Sequence, residues 1–295
     1  MRTVFWLGLL SSVFLAGCAA TEERPRTEDD ARQLAPLPAC FTHLGPPKKE
    51  ERAAVSLREE QIWPLVFPSF DPTRAQLEEN ARACTGRAPL QDDVLKGGTP
   101  TKIEEGAIVM GGGGDRLKAA WMRSHTFEDG TAGGALALLR TIDGTAEVYA
   151  VGTFRGRPKS TFTIERLGPA VVVVAQDDGC KARKAEAGCE TAVSVFQPRL
   201  GVLDRVAHIS QERVDYAVNS EPGVPGKVEY RLSSSIQYLD GGIRVLEQVL
   251  VRDELARELR RSEQERSFTF APGGTMVVDE DSLWSRVTSR TTTKK

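Results

Sequence analysis

From Ile108 onward the chain runs in short apolar stretches, each stopped by turn-forming residues, and that cadence limits the fold more than any other feature. Leu136 to Thr141 gives way to Asp143-Gly144-Thr145 and then to Glu147 to Phe154. Arg155-Gly156-Arg157-Pro158 leads to Ser160 to Leu167, and Gly168-Pro169 leads to Ala170 to Ala175, which carries four valines in a row. Thr191 to Phe196 and Gly201 to Gln211 read as further strands. Val228, Tyr230, Leu232, Ile236 and Tyr238 alternate with polar residues, the period of a half-buried strand. Asp240-Gly241-Gly242 turns that strand into Ile243 to Val251. Phe268 to Phe270 and Met276 to Val278, around Pro272-Gly273-Gly274, read as a closing hairpin. Connections this short join antiparallel neighbours, because parallel strands need crossovers of about a dozen residues. The expected fold class is mainly β: an antiparallel meander, a curved sheet or a barrel, with a small helical N-terminal region. The spacing shows no internal repeat. Arg252 to Arg266, dense in charge, reads as a helix.

Ahead of the β region, residues 39–105 read as helical and irregular. Pro46 and Pro47 suit a first helical turn, so Lys48 to Ile62 is expected as a helix that Trp63-Pro64 ends. Phe67-Pro68-Ser69-Phe70 is expected to be extended. Asp71 and Pro72 cap a second helix over Thr73 to Thr85, closed by Gly86. The β domain is expected over 106–288, with a flexible tail at 289–295.

The first residues have a different character. Met1, Arg2 and Thr3 make a short positive start, and Val4 to Phe14 is apolar apart from Gly8, Ser11 and Ser12. That run is too short for a permanent span, which takes about 20 residues, and suits the core of a signal peptide. Leu15-Ala16-Gly17-Cys18 follows and resembles the lipobox of bacterial lipoproteins. The resemblance implies cleavage after residue 17, diacylglycerol on the Cys18 sulfur and an acylated Cys18 amine. One acyl chain anchors only marginally, whereas two or three make a stable tether at about 0.8 kcal/mol per buried methylene. Ala19, where an Asp often marks inner-membrane retention in such proteins, points to the outer membrane. Residues 18–38 are polar and punctuated by proline, a composition that buries too little apolar surface to fold. They read as a disordered tether.

An envelope address implies an oxidising compartment. With Cys18 taken by lipid, Cys40, Cys84, Cys180 and Cys189 remain, and three pairings are open. Cys40–Cys84 and Cys180–Cys189 are expected, each pair lying within one region. A four-cysteine zinc site would want close Cys-x₂₋₄-Cys pairs, which are missing here.

Motifs for chemistry are few. Gly111-Gly112-Gly113-Gly114-Asp115-Arg116 lacks the Gly-Lys-Ser/Thr ending of a phosphate loop and reads as a flexible connection. His43, His125 and His208 show no zinc-enzyme spacing and read as surface or structural histidines. Ser124 and His125 are neighbours, and adjacent strand residues point to opposite faces, so they are poor candidates for a nucleophile and its base. Asp177-Asp178 and Asp279-Glu280-Asp281 are acidic clusters expected in loops; Asp279, Glu280 and Asp281 are weak calcium candidates and read as solvated turns. Trp63, Phe67, Phe70, Trp121, Phe154, Phe162 and Trp284 are expected mostly in the core.

With 39 Lys and Arg against 41 Asp and Glu, evenly spread, the chain offers no basic block for nucleic acid. No motif requires a cofactor or assigns a catalytic residue. The expected role is non-catalytic binding or assembly in the cell envelope. Partners would be the membrane, through the N-terminal lipid, and envelope proteins or a hydrophobic ligand. The alternatives are a carrier of lipid in a β cavity and, third, an envelope hydrolase.

Overall fold

The computed structural model describes residues 59–67, 92–101, 108–112, 117–142, 145–181, 188–199, 201–218, 226–271 and 274–289. Cys18, Cys40, Cys84, His43, Phe70, the expected helix at 73–85 and the tether lie outside them.

Helix α1 (Glu59–Val66) and the short α2 (Asp92–Leu95) precede β1 (Thr99–Pro100). Two four-stranded meanders follow: β2 (Ile108–Gly112), β3 (Leu117–Thr126), β4 (Ala132–Ile142) and β5 (Thr145–Gly156), then β6 (Thr161–Leu167), β7 (Ala170–Asp178), β8 (Cys189–Arg199) and β9 (Val202–Val218). The chain continues through β10 (Lys227–Leu239), β11 (Gly242–Asp253), β12 (Glu258–Phe270) and β13 (Met276–Val278) to helix α3 (Leu283–Ser289). The fold is mainly β, and the two meanders close into an eight-stranded barrel in ring order β2-β3-β4-β5-β9-β8-β7-β6.

Within each meander the pairing is antiparallel, as the short turns require. The two seams are parallel instead, joined at Gly112↔Thr163 and at Val151↔Val202. A glycine stands at each seam. A Cβ on Gly111 would overlap the Phe162 carbonyl, and one on Gly152 would overlap the Leu203 carbonyl. Gly111 and Gly112 are therefore strand residues at a close backbone approach, correcting the expected flexible connection; residues 113–116 lie outside the description.

Strand β9 is longer than the barrel wall. Its beginning closes the barrel against β8 and β5, and Glu212 to Val218 runs on to pair with β10. The β10–β13 sheet then folds back over the outside of β6–β9. Val172, Val174, Val193, Val195, Ala207 and Ile209 meet Ile243, Val245 and Phe268 there. The alternate residues Val171, Val173, Ala175 and Phe196 point into the barrel. Burial on both faces explains why β7 reads as an unbroken run of valines rather than an alternation. On the opposite side, Ile62, Trp63, Leu65 and Val66 of α1 cover Met122, Ala135, Ala137 and Val151.

Inside, Trp121, Phe154, Phe162 and Phe196 pack ring against ring, with centroids 5.1–6.1 Å apart. Trp121 Nε1 donates to the Phe154 carbonyl at 3.3 Å, satisfying the one polar atom in that cluster of rings.

Two further expectations are overturned. Arg252 to Arg266 is not helical: it spans the end of β11, a turn and most of β12, strands paired from Gly242↔Thr269 to Arg252↔Glu258 with a register shift between Val251 and Arg252. Its charge density mimicked a solvated helix because β12 is an outer strand whose first half is exposed on both faces. Such charge also protects a sheet edge from unwanted pairing. Pro64 does not end α1, which continues to Val66; the Phe67 N–H reaches the Trp63 carbonyl at 2.8 Å. Helix α3 was not foreseen, and it includes Ser289, the first residue of the expected tail. No helix of the described residues is long and apolar enough to cross a membrane.

Candidate functional site

The strand β10 places Lys227, Glu229 and Arg231 on one face, because residues two apart point the same way. The opposite face carries Val228 and Leu232, buried with Trp284 of α3. Across the sheet, Glu229 lies opposite Tyr216 of β9 on one side and Arg252 of β11 on the other. The result is a groove of about 450 Å³ lined by Tyr216, Lys227, Glu229, Arg231, Arg252, Asp253, Glu254 and Ala256.

Two contacts in the groove hold Glu229 in place. The Tyr216 hydroxyl donates to Glu229 Oε2 at 3.2 Å, and Arg231 Nε lies 3.4 Å from Glu229 Oε1. The Lys227 ammonium sits 4.9 Å above the Tyr216 ring, a favourable position over the negative face of the π system. The floor at one end is a built turn. Asp253 Oδ1 accepts from the Leu255 and Arg257 N–H groups at 3.0 and 2.9 Å, and Oδ2 accepts from Arg257 Nε at 2.6 Å. Ala256 takes φ 59° there, the left-handed region that alanine rarely visits. Sequence reasoning missed this site. The alternation in β10 was visible, but Tyr216 comes from another strand and Arg252 was assigned to a helix.

A second polar cluster lies near one end of the barrel. Ser194 of β8 and His208 of β9 are direct cross-strand partners, with Ser194 Oγ 3.1 Å from His208 Nδ1. His208 Nε2 is 3.8 Å from Glu190 Oε1, and the Ser210 hydroxyl donates to the same oxygen. The His208 ring first, then the Ser210 hydroxyl and the Arg213 charge, hold the Glu190 carboxyl down to about 2 against the opposing effect of burial. The set has the composition of a nucleophile, base and orienter. Ser194, however, is only 6 % exposed, which leaves its hydroxyl little room for an incoming carbonyl carbon. The cluster is a cross-strand polar network whose His208 and Glu190 side chains are 48 % and 35 % exposed.

Other expectations find their places. Cys180 and Cys189 are bonded, with Cα atoms 4.9 Å apart, at the entry to β8. Ser124 and His125 do meet, with Ser124 Oγ 2.9 Å from His125 Nδ1, because the register shifts between Arg123 and His125 and the strict alternation fails. Burial lowers the His125 pKa. Asp177 and Asp178 end β7 rather than forming a loop. Asp177 Oδ1 accepts from the Arg157 N–H at 2.9 Å, and Asp178 Oδ1 from the Thr191 hydroxyl at 3.0 Å. Asp279 accepts from the Ser267 N–H, and Glu280 from Gln264 Nε2. Among the described residues, no three His, Cys, Asp or Glu side chains are grouped to hold a metal ion. Trp63, Phe67, Trp121, Phe154, Phe162 and Trp284 are all core residues.

Compared with protein families, with curated proteins and with solved structures, the chain matches none.

Proposed function

We propose that this chain is a lipid-anchored protein of the bacterial envelope, held through Cys18 to the outer membrane, and that it works by binding at the groove on its sheet extension. The observation that carries the binding reading is the contrast between two places in the fold. The barrel interior is filled at its centre by four packed aromatic rings, whereas the β9–β11 face holds an open, charged recess. The recess of about 450 Å³ falls in the size range of small-ligand sites, about 300–1,000 Å³, but its lining is charged rather than apolar, which suits a charged ligand. This contrast favours binding outside the barrel over carriage of a hydrophobic molecule within it. Of the residues that line the recess, Lys227, Arg231 and Arg252 are half-buried and held by the sheet, which presents a partner with a fixed pattern of charge.

The test has two parts. Mass spectrometry of the mature N-terminal peptide is expected to show acylated Cys18, and Cys18→Ala is expected to release the protein from the membrane fraction. Crosslinking in intact envelopes, followed by recovery of the wild-type chain and of Arg252→Glu, is expected to show partners lost in the variant. Identical partner profiles would remove the groove from the reading, and an unacylated Cys18 would remove the anchor.

A further inference from the structure

We propose that the groove receives a phosphate group belonging to a larger ligand; this rests on the binding reading above. Lys227, Arg231 and Arg252 surround Glu229, and the Glu229 carboxylate is already committed to the Tyr216 hydroxyl and to Arg231 Nε. Arg252 has a different standing. It faces Glu229 across the strands and pairs with Glu258 on β12, and among the described residues no hydrogen bond or ion pair holds its guanidinium. The guanidinium therefore carries hydrogen-bond donors that an incoming anion would occupy. Arginine's planar fork matches phosphate oxygens two at a time, and Lys227 adds a compact charge beside it.

Asp253 does not offset this, because its carboxylate is used up on the turn and on Arg257. Glu254 remains, at the rim, where its Oε1 would lie 3.1 Å from a Cβ on Gly226. A volume of about 450 Å³ exceeds what one phosphate fills and leaves room for the rest of a larger molecule, while the Glu254 charge works against the phosphate. A free phosphate ester and the headgroup of a phospholipid share this chemistry.

Calorimetric titration of the full-length chain with glycerol phosphate at constant ionic strength separates the outcomes. Saturable binding is expected, weakened at least tenfold in Arg252→Gln and in Lys227→Gln, and strengthened in Glu254→Gln because a repelling charge is removed. The last variant matters because a purely structural role for these residues predicts no gain. Co-sedimentation with phosphatidylglycerol vesicles, against phosphatidylcholine vesicles, then assigns the source: retention on the former alone names the lipid headgroup, and binding of glycerol phosphate without vesicle retention names the free ester. The proposal is overturned if glycerol phosphate and both vesicles fail to bind, or if Arg252→Gln binds as the wild type does. If phosphate fails while Arg252→Glu still loses crosslinked partners, the phosphate assignment falls and the binding reading stands.

Discussion

Arg266 Nη2 of β12 lies 2.6 Å from Glu247 Oε1 of β11, and the two side chains are only 7 % and 1 % exposed. The pair sits between two apolar clusters, one pressed on the barrel and one under α3. Glu247 does more than neutralise the arginine. It accepts from the Ser282 hydroxyl at 3.0 Å and from the Leu283 N–H at 2.7 Å, so a strand carboxylate caps the start of α3. Removing one partner leaves a buried charge uncompensated, which costs about 3–5 kcal/mol. Arg266→Met is expected to lower stability by about that amount in urea unfolding. Arg266→Met combined with Glu247→Met is expected to recover part of the loss, but not all, because Ser282 and Leu283 lose their acceptor. A double variant as stable as the wild type would mean that apolar packing at the two positions offsets the lost helix cap.

The barrel seams depend on two residues without side chains. Gly111 and Gly152 each face a carbonyl of the neighbouring strand where a methyl group would overlap it. Backbone cannot yield as a flexible side chain does, so the strands must separate. Gly111→Ala and Gly152→Ala are each expected to cost about 1–3 kcal/mol, the usual range for overpacking. Gly241→Ala tests a different mechanism. Its Cβ would meet nothing within 4 Å, but φ 91° makes the cost one of backbone strain. Thermal unfolding of the three variants distinguishes seam from turn, because Gly241→Asn, which tolerates a positive φ, is expected to recover part of the loss, whereas Gly111→Asn and Gly152→Asn are expected to lose more than the alanine variants.

Glu190 links stability to acid. Its folded pKa is depressed from 4.5 to about 2, with His208 the leading cause. A carboxylate with a lowered folded pKa adds stability that is fully present above its unfolded value and is lost as pH falls through the folded one. The window is therefore from about 4.5 down to about 2. The unfolding midpoint of the wild type is expected to exceed that of Glu190→Gln at pH 6, with the gap closing over that window. A gap that stays constant to pH 2 would contradict the arrangement.

Ala256 closes the Asp253 turn in a conformation that suits glycine, and strain of this kind costs about 1–2 kcal/mol. Glycine relieves it and gives back part of the gain through greater freedom in the unfolded chain. Ala256→Gly is expected to stabilise by up to about 1 kcal/mol, and Ala256→Val to destabilise, both read from chemical denaturation. If Gly and Val shifted stability in the same direction, the strain assignment would fail.

The succession of strands from β4 to β11 was legible before any fold was known, whereas β3 was not named and most of β12 was read as a helix. Period-2 alternation in β10, the four valines of β7 and the turn pairs between strands are local facts, written into neighbouring residues by the geometry of an extended backbone. The Cys180–Cys189 bond was legible for the same reason, since its partners are close in sequence. Parallel seams, the overlay of β10–β13 on β6–β9, the glycine contacts and the groove were not. Each joins residues distant in the chain, and no local period encodes which strand ends meet. Arg252 shows the difference: its neighbours in sequence suggest a charged helix, and only pairing with β10 sets it opposite Glu229. Tertiary packing decided the site because the electrostatic environment of a side chain is set by what lies within a few ångströms, whichever part of the chain supplies it.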